Sequence, residues 1–231
     1  MFYVSTARPA LSALVTCLLL TTTVQAEDPI SVKEIGSTCL LASLDDCKVL
    51  SAGFLNVNNY GDSDGAPWLA WQIQTGSSQD FGAIGGFVLL QYADGWTVRD
   101  SGFDGYFQLP RLNNDGVLHI PGYGQGTAVM NADRLYQIDQ DGLALTAVDM
   151  DHWRDTIADR LPAGLGIWKG VNYDFSDPWS GYVARTALWN DDDANCCPSG
   201  GSAVISLAIE DHALVATDLV VSPPEAEAAT Q

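Results

Sequence analysis

Between Asp191 and Gly201 the chain reads Asp-Asp-Asp-Ala-Asn-Cys-Cys-Pro-Ser-Gly-Gly, a dense grouping of side chains that can do chemistry. Thiols beside carboxylates admit three uses: a metal centre, a redox couple or a cross-link. A zinc site is disfavoured, because Cys196 and Cys197 lack the two-residue gap that lets two thiolates reach one ion. A thioredoxin-like couple needs Cys-x-x-Cys at the opening of a helix, and Pro198-Ser199-Gly200 does not continue as one. Cross-linking remains. Cys39 and Cys47 are the other candidates, spaced to close a short local loop or to reach across to the pair. Two adjacent cysteines can bond to each other only through a strained eight-membered ring, so the expectation is that each pairs elsewhere or that one stays free. A clip from the amino-terminal segment to the 190–201 loop would stabilise by roughly 2–4 kcal/mol, chiefly by restricting the unfolded chain.

Other residues offer weaker chemistry. Asp62 and Asp64, in Gly61-Asp62-Ser63-Asp64-Gly65, present hard oxygen ligands of the kind calcium takes. Over these five residues the segment resembles the Asp-rich calcium loops of integrin-like propeller repeats. Calcium is therefore the one cofactor considered, with a plain turn as the alternative. Asp191, Asp192 and Asp193 match no EF-hand spacing and read as a solvated loop. His119, His152 and His212 are scattered along the chain. No Gly-x-Ser-x-Gly elbow is present. Carboxylates are abundant, so a glycosidase-type acid pair is conceivable without any particular pair standing out. Trp68, Trp71, Trp168, Tyr173 and Trp179 suit either stacking on sugar rings or filling a β core.

The compartment frames these options. Arg8, the apolar run Leu11 to Leu20 and the ending Val24-Gln25-Ala26 form the pattern of a secretory signal peptide cleaved after Ala26. Cys17 lies inside the apolar run and falls with that leader. Four cysteines then remain, an even number that in an exported chain favours disulfides, with three possible pairings. Beyond the leader no stretch approaches the ~20 apolar residues of a membrane helix. The formal charge of −19, with 29 acids against 10 basic residues, argues against nucleic acid, which needs clustered Lys and Arg. It equally disfavours anionic lipid, and is read as solubility outside the cell.

The elements that must position these residues read mostly as strands. Leu69, Trp71 and Ile73 alternate onto one face, and Phe87–Tyr92 is apolar on both faces, as a covered strand would be. Further strands are expected at Leu135–Ile138, Leu143–Val148, Tyr182–Trp189 and Val204–Ile209. Asp94-Gly95, Asp115-Gly116 and Asp141-Gly142 punctuate the runs with a dipeptide that accepts positive φ, so antiparallel hairpins are expected. Met150, Trp153, Ile157 and Leu161 fall on one helical face, with Asp149 and Asp151 at the positive end and Pro162 and Gly164 beyond the other. The fold expected is mainly β, a sandwich or partly propeller-like set of antiparallel sheets. One covering helix lies near 150–161, within a single domain at 27–221. The tail from Ser222 to Gln231 reads as disordered.

The segment Asp193-Ala194-Asn195-Cys196-Cys197-Pro198-Ser199-Gly200 resembles an Asp-x-x-Cys-Cys-Pro-Ser motif of uncharacterised bacterial envelope proteins and lipoproteins, where it also lies between two late strands. The resemblance implies an extracytoplasmic bacterial protein and brings no activity with it. Membrane anchoring is not carried over, because no convincing lipid-attachment cysteine is present. The expectation is a periplasmic or secreted, non-catalytic module that binds a protein or carbohydrate ligand through loops. The alternative is an extracytoplasmic, carbohydrate-active hydrolase working through paired carboxylates.

Overall fold

The computed structural model describes residues 30–55, 69–125, 130–138, 144–177, 179 and 181–224. The leader, Asp62, Asp64, Trp68, the Asp141-Gly142 turn and residues 225–231 lie outside the described residues. Among those described, the protein is mainly β, built from antiparallel sheets stacked on one another.

The first segment is a short helix, α1 (Val32–Ser37), that sequence reading did not foresee. Ser31 caps it: its Oγ accepts from Glu34 N while the Glu34 carboxylate accepts from Ser31 N at 2.8 Å. This reciprocal box satisfies donors that a six-residue helix cannot satisfy internally. α1 and the chain after it lie against the first sheet, a meander of β1 (Asp45–Leu55), β2 (Leu69–Ser78), β3 (Gly82–Tyr92) and β4 (Trp96–Gly102). Asp94-Gly95 makes the β3–β4 turn, with Tyr92 paired to Trp96.

β2 is buried on both faces. Leu69, Trp71 and Ile73 point into the main core. Gln72 and Gln74, between them, are equally sealed and act as hooks. Gln72 Nε2 donates to Ile35 O at 2.7 Å and Thr38 O at 2.9 Å, and its Oε1 accepts from Leu40 N. Gln74 Nε2 donates to Leu40 O and to Gln72 Oε1. A loop without regular structure thereby finds partners for backbone groups that burial would otherwise strand.

The Cys39–Cys47 disulfide closes the same segment. Replacing both residues by serine is expected to lower stability by about 2–3 kcal/mol, the value for a short loop. Urea unfolding checks this, with an unchanged midpoint as the contrary result.

A run of short elements follows: β5 (Tyr106–Phe107), β6 (Arg111–Leu112), β7 (Val117–Ile120), β8 (Gly122–Gly124), β9 (Met130–Asn131), β10 (Arg134–Ile138) and β11 (Leu145–Ala147). β11, β10, β7 and β6 form the second sheet in that order, and β5, β8 and β9 form a small one beside it. The β6–β7 hairpin turns at Asp115-Gly116, with Gly116 at φ +75°. Asn113 Oδ1 accepts from Asp115 N and Val117 N, each at 2.9 Å, which fixes that turn.

The expected helix is shorter than 150–161. α2 spans His152–Ile157 and tightens into a 3₁₀ turn over Ala158–Arg160. Asp149 Oδ1 accepts from Asp151 N and His152 N, at the end of the helix where the sequence places both acids. Trp153 and Ile157 are fully buried, and Met150 and Leu161 pack against the same cluster from just outside the helix. Side-chain spacing marks the buried stripe correctly while hydrogen bonding ends the helix earlier.

The last sheet contains β13 (Asn172–Asp174), β14 (Tyr182–Ala187), β16 (Ser202–Glu210) and β17 (Ala213–Ser222), and the pair β12 (Leu165–Gly166) with β15 (Trp189–Asn190) stands apart. The single strand expected over Tyr182–Trp189 is thus two pieces. Leu188 breaks it because its N–H and carbonyl bond Gly201 O and Gly200 N, each at 2.9 Å. Ser222, where the tail was expected to begin, still pairs with Ser202.

The second sheet lies between the other two, which its residue alternation shows. Leu118 and Ile120 of β7 enter one core cluster with Trp71, Phe87 and Leu89 of the first sheet. Val117, on the opposite face, enters another with Trp153 and with Ile205 and Leu207 of the last sheet. β7 is therefore buried on both sides, and His119 lies on the face shared with the last sheet.

Candidate functional site

Two places gather polar side chains. The first is the Cys-Cys loop. The long-range clip expected from the sequence is not what forms: Cys196 and Cys197 are bonded to each other, and Cys39 is bonded to Cys47. The loop is held instead by Asp193, whose carboxylate accepts from Asn190 N and Ser199 N at 2.8 Å each and from Ser199 Oγ at 2.5 Å. Lys169 Nζ donates to Asn195 Oδ1 from beneath, its ammonium 4.0 Å from the centre of the Trp168 ring. A Cβ on Gly200 would stand 2.8 Å from Leu188 O, so the glycine permits a close approach. Asp193, Ser199 and Gly200 of the recognised motif thus have architectural work.

The three hydrogen bonds hold the Asp193 carboxyl below the usual carboxylate range, those from Ser199 contributing most. A group with a depressed folded pKa contributes stability that is present above its unfolded pKa and is lost as pH falls through the folded one. Asp193→Ala is therefore expected to speed amide exchange at Asn190 and Ser199 at neutral pH. That difference from the parent should close in strong acid, and hydrogen exchange with mass spectrometry reads both. Equal exchange at pH 7 would show that the carboxylate does not hold the loop.

The second place is a cleft of about 710 Å³ on the side of the second sheet that faces β13. Its floor is His119. The ring Nε2 lies 2.7 Å from Asp133 Oδ1, and both side chains are buried. An ionised carboxylate only accepts, so Nε2 carries the proton. Asp133 Oδ2 accepts from Asn131 Nδ2 at 2.9 Å. Asn131 in turn grips Val171, donating to its carbonyl at 2.7 Å and accepting from its N–H at 2.9 Å. This chain of bonds joins the second sheet to the approach of β13. It fixes the imidazole plane, which also stands edge-on to Phe175 at 4.9 Å. His119 Nδ1 has no partner among the described residues, whose one sealed and unpartnered side-chain polar atom is Trp189 Nε1. Nδ1 is thus open to a ligand at the base of the cleft, an acceptor on the neutral ring and a donor on the protonated one.

Around it stand Arg111, Gln108, Tyr123 and Asn172, with Tyr173 closing one side. Arg111 is the direct cross-strand neighbour of His119, which puts the two side chains on one face. A smaller cavity of about 110 Å³ adjoins, sharing Arg111, His119 and Tyr173 and adding Asp174 and Ser176. Asp174 accepts from Ser176 Oγ at 2.6 Å and from Ser176 N at 3.1 Å, which lowers its pKa, with Arg185 and Arg111 adding to the effect. Burial pushes the Tyr173 hydroxyl up, so it stays protonated and able to donate.

Of these residues the sequence points only to Tyr173, as an aromatic suited to sugar stacking or to the core. In sequence His119 is one of three scattered histidines and Asp133 one acid among many. The signal was the buried strand in which His119 alternates with Leu118 and Ile120. Its partner became identifiable only through register: Leu135 lies opposite His119 and brings Asp133 alongside. The aromatic candidates divide. Trp71 and Tyr173 are buried, whereas Trp168 is 51% and Trp179 93% exposed. Among the described residues no three His, Cys, Asp or Glu side chains group to hold a metal.

Fold and cleft together define a mainly β protein of stacked antiparallel sheets with a polar, pre-formed cleft between two of them. No protein-family model matches the chain, and neither curated proteins nor solved structures give a match.

Proposed function

We propose that the protein is an exported, non-catalytic binding module and that the cleft over His119 takes a carbohydrate. The observation that carries this reading is the lining. Small-molecule sites are mostly apolar with a few polar groups, whereas this one presents amides, a guanidinium, an imidazole and a tyrosine edge. Planar polar groups of this kind match the paired hydroxyls of a sugar, and Tyr123, 41% exposed, offers a ring face. The volume is within the ordinary range for small ligands. Export is supported by the leader pattern, by the Cys39–Cys47 bond and by the envelope-protein motif.

Calorimetric titration of the full exported chain with a panel of neutral and acidic oligosaccharides tests this. Saturable heat is expected from at least one class and should be abolished in Asn172→Ala. No saturable heat across the panel would reject the reading.

The hydrolase alternative draws on one observation, a carboxylate–imidazole pair able to move a proton at Nδ1. It is not the two-acid arrangement expected from the sequence, since Asp133 faces His119 rather than a second carboxylate. Release of new reducing ends from any of the same oligosaccharides would favour it over simple binding.

A further inference from the structure

The distribution of cations around the cleft narrows the ligand class. Acids outnumber basic residues 29 to 10 in this chain, so cations beside a polar cleft are few. Among the described residues Arg134, Arg154 and Arg160 each lie within ion-pair distance of an aspartate. Arg111 does not. Its one hydrogen bond is a long 3.4 Å contact from Nη2 to Gln108 Oε1, a neutral acceptor. Arg185 likewise has no carboxylate within that distance, and it stands directly across the strand pair from Asn172, which lines the cleft. Both arginines are exposed.

The acids nearby are already engaged. Asp133 is taken by His119 and Asn131, and Asp174 by Ser176, although Asp174 still senses both arginines. Arg111 thus lines the polar cleft and Arg185 stands across the strand pair from its Asn172 edge, neither of them in an ion pair among the described residues, in a protein whose net field repels anions. A neutral sugar can use a guanidinium's N–H donors but gains nothing from its charge. A carboxylate does, because a guanidinium can offer it two parallel N–H donors, and such charge-assisted pairs are stronger than neutral ones.

Building on the carbohydrate reading above, we propose that the cleft recognises an acidic sugar. Arg111 binds the ligand carboxylate, Arg185 supports it from the β14 side, and His119 Nδ1 accepts a hydrogen bond from a ring hydroxyl. The negative surface then adds selectivity: a ligand whose charge is not met by these arginines is turned away.

The test is calorimetric titration of the full chain with three probes: a galacturonate trimer, its fully methyl-esterified and therefore neutral form, and sodium acetate. The acidic trimer should bind at least ten-fold more tightly than its ester, and acetate should give no saturable heat. Arg111→Ala should weaken the acidic trimer at least ten-fold more than the ester and so close the gap between them. Arg111→Lys should recover only part of the loss, since an ammonium lacks the fork. Circular dichroism of each variant confirms an intact fold, and Arg185→Ala provides a second removal of charge on another strand.

Equal binding of acid and ester would overturn this inference and leave the carbohydrate reading standing. Acetate binding as tightly as the trimer would overturn the sugar and leave a simple anion site. No heat from either trimer would overturn both.

Discussion

Replacing Trp153 by alanine is expected to lower the unfolding free energy by about 3–5 kcal/mol, the range for a large aromatic removed from a core. Trp153 is 0% exposed and stands where α2 meets the last sheet, in one cluster with Val171, Ile205 and Leu214. Its indole N–H donates to the Tyr173 hydroxyl at 3.2 Å, and the two rings meet edge to face. The substitution removes packing and strands that hydroxyl together. Because Tyr173 also walls the cleft, the loss should reach ligand affinity as well as stability. Trp153→Phe should retain most of the packing and cost markedly less. Thermal unfolding should show the alanine variant melting roughly 10 °C lower, at the few degrees per kcal/mol usual for this size. A shift of one or two degrees would mean that α2 is a loosely held cover and not a structural wall of the site.

The second large effect is expected at Asp133. Asp133→Ala removes the acceptor for both His119 Nε2 and Asn131 Nδ2, leaving the buried imidazole N–H without a partner while Asn131 Nδ2 keeps only its bond to Val171 O. Hydrogen bonds to a charged group are worth about 1.5–3 kcal/mol each on average, and loss of the shared acceptor should cost about 2–4 kcal/mol. The functional consequence is the sharper one. Without the carboxylate the imidazole is free to rotate and change tautomer, and Asn131 is freed from one of its anchors. Binding in the cleft should fall by at least ten-fold. Asp133→Asn keeps one acceptor and should recover part of the stability. Denaturant unfolding and calorimetric titration on the same samples separate the two readouts. Unchanged binding in a folded alanine variant would remove His119 from the site.

How much of this was legible beforehand follows from the range of each interaction. The hairpin turns at Asp94-Gly95 and Asp115-Gly116, the strands around Leu69–Ile73 and Phe87–Tyr92 and the buried stripe of α2 were readable. They depend on φ preferences and on side-chain periods of two or 3.6, which are properties of a few adjacent residues. The capping of α1 is equally local, in Ser31 and Glu34. The burial of Gln72 and Gln74 had no local signal, because it depends on a loop some thirty residues earlier in the chain folding across their face.

The same division holds at the sites. For the cysteines, the sequence supplied the candidates, and folding chose two short-range bonds, Cys39 with Cys47 and Cys196 with Cys197. The motif around the second pair was visible, but its meaning was not: only the folded loop shows the Asp193 carboxylate holding both of its ends. For the cleft, composition offered many acids and no reason to choose among them. The pairing of His119 with Asp133 required β7 to lie beside β10 in one register, since a slip of a single residue would turn His119 to the opposite face. Composition and local period therefore determined the class of fold and its punctuation. Strand register and the stacking of three sheets, set by how apolar faces bury one another over long separations, decided which polar residues meet.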